Sequence, residues 1–400
     1  MPYYIGDVIK DEKQLIARTP EQFAKSGIDV RLNSRVDAID TTARCVLLAS
    51  GERISYDQLV MGTGSEATMP SLPGIELPGV FKLKSLVDAT RIKTHVRENR
   101  CRKAVIVGAG FIAMEMSESL RICGLDTSVV YRGDRPVRRW DPVFSDMIRK
   151  ELDHHGVSFI AHTTPLAVEQ NGGGSALRLV TNDGALEADL VLFALGVRPQ
   201  THLAAEIGLA LGQTGAIAVD SCQQTSQEGI YAVGDCCEVF NRVSGRWTYT
   251  PLGDVANKQG RVAGANLTGG SRSFPGIVGA QAFKVFGLDV AATGLNEDEA
   301  SKAGFDPVSG TIEGTPTAKS LSRGEQLKIK MIADRKTGKL LGAQAAGVKG
   351  AVNRINTLSV CLWQGMTIDD VGYLDLAYAP PYGGAWDPIH ICAQNVRRKM

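Results

Sequence analysis

Glycines that directly follow a short apolar strand are the residues of this chain best suited to binding a nucleotide. The apolar run 105–107 leads into Gly108-Ala109-Gly110, and helix-forming residues with an apolar stripe occupy 111–122. A strand, a glycine turn and a helix in this order place a helix N-terminus against a dinucleotide pyrophosphate. Gly108 lets the backbone turn, Gly110 lets it approach the phosphate, and Ala113 keeps helix and strand close. The next predicted strand follows at 127–131. A strand–helix turn that binds nothing is the alternative.

Three other predicted strands end in glycine, where ligands of parallel sheets bind. Residues 56–61 lead into Gly62-Thr63-Gly64, residues 190–194 into Leu195-Gly196, and residues 230–233 into Gly234-Asp235. A carboxylate such as that of Asp235 can accept hydrogen bonds from ligand hydroxyls. An aspartate that caps a turn is the alternative.

Composition excludes several other classes of function. The chain has 400 residues with 44% hydrophobic content, enough for two or three domains, and a formal net charge of +1. Near-neutral charge gives no indication of a nucleic acid or an acidic membrane as a partner. The longest apolar run, 190–197, is too short to span a bilayer, and the first residues do not have the pattern of a signal peptide. We expect a soluble cytoplasmic protein.

The eight cysteines do not have the spacing of a metal site or a disulfide framework. We therefore expect reduced thiols and no metal. Cys236 and Cys237 are adjacent and could form a strained disulfide, although two packed thiols are the preferred interpretation. The other six cysteines are interpreted as small buried hydrophobic residues.

The remaining pattern predicts the elements around these sites. It favours a helix over 1–27, with Asp11 as a cap, and strands at 30–32, 36–39, 45–48 and 53–55. Residues 66–80 are a linker by composition, Ser85 opens a helix, and further helices are predicted over 142–155 and 252–267. From residue 274 the pattern changes to α+β. Strands are expected at 157–161, 177–181, 282–285, 289–293, 327–333 and 340–346, with helices after Asn296, over 352–364, from Thr367 and after Asp387.

Together these segments resemble the FAD-dependent pyridine nucleotide-disulfide oxidoreductases. The nearest branch contains coenzyme A-disulfide reductases, NADH oxidases, NADH peroxidases and polysulfide reductases. The matching segments are 2–6, 56–65, the 108–113 loop with Glu115, 194–199, 230–235, 256–260, 293–296 and 378–381. They occur in the family's order along essentially the whole chain.

The resemblance implies an α/β fold with two doubly wound nucleotide-binding domains and an α+β C-terminal dimerisation domain. The FAD domain would be discontinuous and N-terminally incomplete. The implied boundaries are FAD-binding residues 1–98, NAD(P)-binding residues 99–198, a second FAD-binding part over 199–273 and a dimerisation domain over 274–400.

Site residues are implied at the matching positions. FAD would be held by Thr63, Gly64, Asp235, Leu252, Gly253 and Ala256. The nicotinamide nucleotide would be held by Gly108, Gly110, Ile112, Ala113, Glu115 and Gly196. A homodimer would form through 274–400, bringing Tyr378 to the partner's active site.

The start of the chain departs from the family pattern. Family members open with a strand, a glycine fingerprint and a helix for FAD, and a redox cysteine lies two positions before the segment that matches Pro2. Here both would lie upstream of Met1, so the chain itself contributes no catalytic cysteine. Our hypothesis is that a longer reading frame begins upstream of an internal methionine; an in-frame stop upstream with no fingerprint before it would refute this. If the chain has no such extension, we expect little FAD binding and no disulfide reduction.

Two further departures concern the substrates. The strand at 127–131 ends in Tyr131 and Arg132 instead of an acid, with Arg135, Arg138 and Arg139 beyond. A guanidinium group can bind a 2′-phosphate bidentately, which favours NADPH over NADH; a solvated basic loop is the alternative. The Tyr-Tyr-Pro-Gly run of coenzyme A-disulfide reductases is replaced here by residues 318–324, so polysulfide, persulfide or oxygen stay open as acceptors.

The leading hypothesis is an enzyme that passes hydride from NAD(P)H through flavin to a disulfide, polysulfide, oxygen or peroxide acceptor. The alternative is an N-terminally truncated, inactive NAD(P)-binding remnant. A third interpretation is a flavin reductase that uses no cysteine, such as a ferredoxin reductase, but the 378–382 loop and the large last domain argue against it.

Overall fold

The computed structural model describes residues 1–172 and 176–400. The helices are α1 (Pro2–Ile5), α2 (Pro20–Ala24), α3 (Leu86–Glu98), α4 (Phe111–Ile122), α5 (Pro142–His154), α6 (His202–Glu206), α7 (Gly253–Leu267), α8 (Glu297–Lys302), α9 (Ala351–Gln364), α10 (Ile368–Val371) and α11 (Pro388–Arg397). Short 3-10 segments occur at Glu12–Leu15, Gly234–Cys236 and Lys319–Leu321.

The strands fall into several separate sheets. They are β1 (Val36–Asp40), β2 (Cys45–Leu48), β3 (Arg53–Ser55), β4 (Leu59–Met61), β5 (Ser65–Ala67), β6 (Val80–Lys82), β7 (Lys103–Val107), β8 (Asp126–Val130), β9 (Ser158–Ile160), β10 (Pro165–Gln170), β11 (Leu177–Thr181), β12 (Gly184–Ala188), β13 (Leu190–Phe193), β14 (Val197–Pro199), β15 (Ile230–Ala232), β16 (Val239–Asn241), β17 (Arg246–Thr248), β18 (Gln281–Val285), β19 (Leu288–Gly294), β20 (Pro307–Gly314), β21 (Leu327–Asp334) and β22 (Leu340–Gly347).

A five-stranded parallel sheet carries the predicted nucleotide turn. Its order is β6-β13-β7-β8-β9, with α4 connecting β7 to β8 and α5 connecting β8 to β9. Strand β13 is buried along its whole length, and β7 along all but its first residue, as the near-continuous apolar runs of a central parallel strand require. The doubly wound α/β prediction for this part of the chain is confirmed.

The last part of the chain is α+β, as the sequence predicts. Its antiparallel sheet has the order β18-β19-β22-β21-β20, and the amphipathic helices α9 and α11 pack on it. Strand β22 is buried at every position because its small side chains are covered on both faces. Strand β20 was missed by the sequence pattern because glycines at 310 and 314 interrupt its apolar alternation.

Two compact units can be distinguished by their internal contacts. One contains residues 1–10, 67–196 and 278–400, and therefore holds the parallel sheet and the C-terminal sheet. The other contains residues 11–66 and 197–277. In the second unit β4 pairs in parallel with β15, and their inner faces join a core with Leu209, Ile217, Cys236 and Cys237. The domain boundaries at 98, 198 and 273 stay predictions.

The predicted helix over 1–27 is wrong. The segment forms α1, a 3-10 turn capped by the Asp11 side chain, and α2. Pro20 explains the last break, because a proline disfavours helical backbone in the residue before it and starts α2 at its first turn. The predicted strand at 30–32 is also wrong, since residues 30 and 31 have no regular secondary structure and Leu32 begins a turn.

Candidate functional site

The turn after β7 has the backbone that glycine alone adopts without strain. Gly108 has φ +119°, and a β-carbon there would lie 2.3 Å from the carbonyl oxygen of Ala194 at the end of β13. This close approach places the turn beside Leu195 and Gly196, and Gly196 itself has φ +92°. The structure therefore brings Gly108 and the segment of Gly196 together at the carboxyl edge of the parallel sheet.

Gly110 leaves the N-terminus of α4 open. It is the N-cap residue at φ −85°, it contributes no side-chain cap, and a β-carbon there would meet no atom within 4 Å. The first N–H groups of this 12-residue helix are therefore available to an anion. Ala113 is completely buried against the strand, whereas Ile112 is 37% exposed beside the open end. This cradle fits the pyrophosphate of a dinucleotide.

Glu115 lies one turn further along α4 and is half-buried. Burial raises the pKa of its carboxyl group, and the neighbouring Glu118 raises it further. Tyr3 faces the same carboxylates: burial raises the pKa of its hydroxyl, followed by Glu115 and Glu118. The sequence pattern missed Tyr3 as a neighbour of this site, because no local spacing connects α1 to α4.

The loop after β8 carries the predicted 2′-phosphate residues. A β-carbon at Gly133 would lie 2.6 Å from the Tyr131 ring, so that ring covers the loop backbone. The side chain of Arg132 is exposed, and it has no hydrogen-bond or ion-pair partner among the residues that the structure describes. Arg139 donates instead to Glu299 at 2.8 and 3.1 Å. Arg139 is therefore engaged with another domain, which the sequence did not reveal.

The predicted FAD residues gather in the other compact unit. Ser65 donates a 2.9 Å hydrogen bond to Asp235, and Thr63 donates one of 2.6 Å to the carbonyl of Gln200. Gly64 has φ +70° and its carbonyl accepts the N–H of Gln200 at 3.0 Å. These contacts hold the ends of β4 and β15 side by side.

Helix α7 approaches the same strand end. Leu252 is its N-cap without a side-chain cap, so the N–H groups that start at Gly253 are open to a ligand. A β-carbon at Gly234 would lie 3.3 Å from that of Ala256, so glycine at 234 permits this close packing. Gln259 accepts the Gly234 N–H at 2.9 Å and fixes the helix against the strand end.

The buried hydroxyl group of Tyr249 bears on whether this second site fits FAD. This hydroxyl makes no hydrogen bond of ordinary geometry with the residues that the structure describes. Burial raises its pKa to about 12, although the neighbouring Ser65 hydroxyl lowers it. A buried polar atom without a partner next to a carboxylate and an uncapped helix N-terminus fits a ligand that carries hydroxyl groups and polar ring atoms. The residues present therefore fit the flavin part of FAD.

The cysteines divide into buried and partly exposed thiols, and all eight are free. Cys236 and Cys237 are 0% and 3% exposed within the apolar core of their unit, as two packed thiols should be. The hydrogen bond from the Cys237 thiol lowers the pKa of Cys236, and the same contact with burial raises that of Cys237. The expectation of burial is wrong for Cys101, Cys123 and Cys222, which are partly exposed.

Metal clusters and membrane-spanning helices are absent from residues 1–172 and 176–400. No cluster of three or more His, Cys, Asp or Glu side chains in these ranges could hold a metal ion. Within the same ranges, no helix is long and apolar enough to cross a membrane.

These features define a dinucleotide-binding α/β protein with an α+β C-terminal domain. The family model of the pyridine nucleotide-disulphide oxidoreductases matches residues 3–260, and the model of that family's dimerisation domain matches residues 280–388. The chain therefore belongs to the pyridine nucleotide-disulphide oxidoreductase family, and it is an NAD(P)H-dependent flavoprotein oxidoreductase.

Named relatives cover nearly the whole chain. An NAD(P)H sulfur oxidoreductase (CoA-dependent) of Pyrococcus furiosus is 34% identical over 99% of this chain and 89% of its own length. An NADH oxidase of Methanocaldococcus jannaschii is 32% identical over 100% of this chain and 90% of its own. The structure of an NAD-dependent persulfide reductase from A. fulgidus is 35% identical with a TM-score of 0.95, covering 100% of this chain and 75% of that one. The alternative of an inactive remnant gains no support from these comparisons.

Proposed function

We propose that this chain oxidises NADPH through bound FAD and delivers the electrons to a polysulfide or persulfide. The proposed binding of the electron donor, NADPH, rests on the open N-terminus of α4 after Gly110. This helix end lies at the edge of the sheet where Gly196 also lies. The names of the P. furiosus and A. fulgidus relatives favour a sulfur acceptor. The name of the M. jannaschii relative makes oxygen the second candidate.

The proposed binding residues form two sites, one for the nicotinamide nucleotide and one for FAD. Gly108, Gly110 and Ala113 would let α4 approach the pyrophosphate, and Glu115, one turn further along the helix, would help to hold the nicotinamide nucleotide. In the other unit, the Asp235 carboxylate would accept hydrogen bonds from the ribityl hydroxyl groups of FAD. FAD supplies the hydride acceptor and the relay of electrons to the sulfur substrate.

The remaining flavin contacts come from two segments. Thr63 and Gly64 would contact FAD from one side, and the α7 N-terminus over Leu252, Gly253 and Ala256 would lie beside its isoalloxazine. The partial positive charge of a helix N-terminus stabilises negative charge that develops there.

A preference for NADPH follows from the charges at the end of β8. Val130 is followed by Tyr131 and Arg132, so no carboxylate stands where it would repel a 2′-phosphate. The exposed Arg132 guanidinium has no partner among the described residues and is free to bind that phosphate bidentately. A charge-assisted hydrogen bond of this kind contributes about 1.5–3 kcal/mol, which is roughly a tenfold or larger preference.

A homodimer through the dimerisation domain is supported by its exposed apolar side chains. Seven large apolar or aromatic residues between 360 and 391 are more than a third exposed, and Tyr378 is 59% exposed among them: Val360, Trp363, Tyr373, Tyr378, Tyr382, Trp386 and Ile391. Such side chains indicate a surface that another chain covers. Tyr378 would then reach the partner's active site.

The experiment measures the flavin first and the substrates second. Under this proposal the purified chain carries FAD in a ratio near one per chain, seen in its visible spectrum, a result that would refute the sequence-based expectation of little FAD binding. A flavin-free chain would refute the proposed FAD-dependent reaction for these 400 residues. With flavin bound, kcat/KM should be higher for NADPH than for NADH, and turnover higher with polysulfide than with oxygen. Arg132→Ala should lose the NADPH preference, while the exposed control Arg178→Ala should keep it.

A further inference from the structure

The loop between β8 and α5 contains a backbone conformation that its residue type does not favour. Val137 has φ +53°, a left-handed conformation in which a β-branched side chain is strained. Strain of this kind amounts to about 1–3 kcal/mol and persists only where surrounding contacts fix it. Val137 is 4% exposed, so those contacts lie within the protein.

The backbone of Val137 is hydrogen-bonded to the Gly108–Gly110 turn, the proposed nucleotide turn. Its N–H donates a 2.8 Å hydrogen bond to the carbonyl of Ala109, between the two glycines that face the pyrophosphate. Three residues further on, Trp140 packs edge-on against Phe111, the first residue of α4, with ring centroids 5.3 Å apart. The loop therefore supports both the turn and the start of its helix.

The end of this loop is held by the dimerisation domain. Arg139 makes a two-point ion pair with Glu299, and its carbonyl accepts the Asn296 side chain at 3.2 Å. The N–H of Asp141 donates to the Gln344 side chain at 2.8 Å. We call these residues and the ion-paired groups beside them the loop clamp: Arg139, Asp141, Glu297, Glu299, Lys330 and Gln344.

A buried lysine lies at the centre of the loop clamp. Lys330 is 5% exposed and contacts the carboxylates of Asp141, at the start of α5, and Glu297, at the start of α8. A buried charge is strongly destabilising without an oppositely charged partner. Lys330, Asp141 and Glu297 are therefore expected to stay in contact with one another. The loop clamp therefore contains three ion pairs: Arg139 with Glu299, and Lys330 with both Asp141 and Glu297.

We infer that the dimerisation domain positions the dinucleotide site of its own chain, because the loop clamp keeps Val137 in its strained conformation and so fixes the Gly108–Gly110 turn. The inference rests on the proposed NAD(P)H site and adds residues that do not touch the nucleotide. Arg139 is thus a positioning residue. It would act on the affinity for the dinucleotide through Val137 and Ala109.

The test measures the Kd for NADP⁺ by calorimetry on the full chain, which does not depend on turnover. Glu299→Gln and Gln344→Leu each remove one attachment of the loop and should raise this Kd at least about fivefold. Asp153→Asn is the matched control. It breaks the exposed Arg149–Asp153 pair of 3.1 Å on α5, in the same domain but outside the loop clamp, and should leave the Kd within twofold.

Repeating the Kd measurement in a Val137→Gly chain distinguishes a positioning effect of the loop clamp from a general loss of stability. Glycine adopts φ +53° without strain, so in a Val137→Gly chain the effect of Glu299→Gln on the Kd should fall below twofold. Clamp variants that lower the melting temperature but bind NADP⁺ like the parent would overturn the inference and leave the proposed function intact. An undiminished effect in the Val137→Gly background would overturn it too. A parent chain that binds no NADP⁺ would refute the nucleotide site itself and the inference with it.

Discussion

Replacing Gly110 by alanine should separate nucleotide binding from folding. A β-carbon at Gly110 meets no atom within 4 Å and the residue has φ −85°, so the folded chain accepts the methyl group without a clash. Alanine at an N-cap position is less favourable than glycine by roughly 0.5–1.5 kcal/mol. The methyl group would, however, occupy the space through which a phosphate approaches the first N–H groups of α4. We expect the Kd for NADP⁺ to rise at least about tenfold, equivalent to about 1.4 kcal/mol.

Gly108→Ala is the matched comparison with the opposite expectation. Its β-carbon would lie 2.3 Å from the Ala194 oxygen and 2.8 Å from the Ala194 carbonyl carbon, and its φ is +119°. Backbone strain of about 1–3 kcal/mol and overpacking of about 1–3 kcal/mol together predict a loss of about 2–6 kcal/mol in the free energy of unfolding.

Urea titration followed by circular dichroism measures the stability of both variants, and calorimetry with NADP⁺ measures binding. The reasoning predicts that Gly110→Ala is nearly as stable as the parent but binds weakly, whereas Gly108→Ala is clearly destabilised. A Gly110→Ala chain that binds NADP⁺ with the parent's Kd would refute the assignment of this turn to the pyrophosphate. A Gly108→Ala chain as stable as the parent would refute the close approach of the turn to β13.

Three further predictions concern other parts of the molecule. Asp235→Ala should reduce the flavin-to-protein ratio after gel filtration at least about fivefold, with the far-ultraviolet spectrum unchanged, because the flavin loses a hydrogen-bond acceptor. Burial alone would raise the pKa of Glu297, but hydrogen bonds from Lys330 and a serine outweigh it and lower that pKa below its usual 4.5. The stability gained is present above pH 4.5 and is lost as the pH falls through the lowered pKa, so between pH 5 and 3 the parent should lose more stability than Glu297→Gln. Asp387→Ala should destabilise the chain by about 3–5 kcal/mol in thermal unfolding, because Arg354, 7% exposed, would stay buried without its carboxylate partner at 2.7 Å; an unchanged melting temperature would show that the pair contributes little.

Local signals explain which parts of the fold could be predicted. The strand–turn–helix unit at 103–122 has a long apolar run, two glycines and a strong helical stripe, and its helix was predicted with the observed bounds. Ser85, Asn296 and Asp387 were recognised as helix caps because caps depend on nearby residues: Asp88 lies three positions after Ser85, and Pro388 follows Asp387.

Long-range contacts explain what the sequence could not predict. The pairing of Arg139 with Glu299 spans 160 residues and depends on how two domains pack, which no spacing along the chain encodes. The short strands β10 and β12 are half-exposed, with weak alternation, and form only because β11 lies between them. The first 27 residues contain several helix-favouring side chains, but proline and loop residues divide them into single turns.

The parallel pairing of β4 with β15 has a consequence for synthesis of the chain. Residues 59–61 pair with residues 230–232, so about 170 further residues are synthesised after β4 before its partner strand is complete. At about 5–20 residues per second, this delay lasts about 9–34 s. The parallel sheet over 80–193 is synthesised within that interval, while the exposed edge of β4 still has no partner strand. The edge of β4 is therefore open to a chaperone that binds unpaired strands until residue 232 is made.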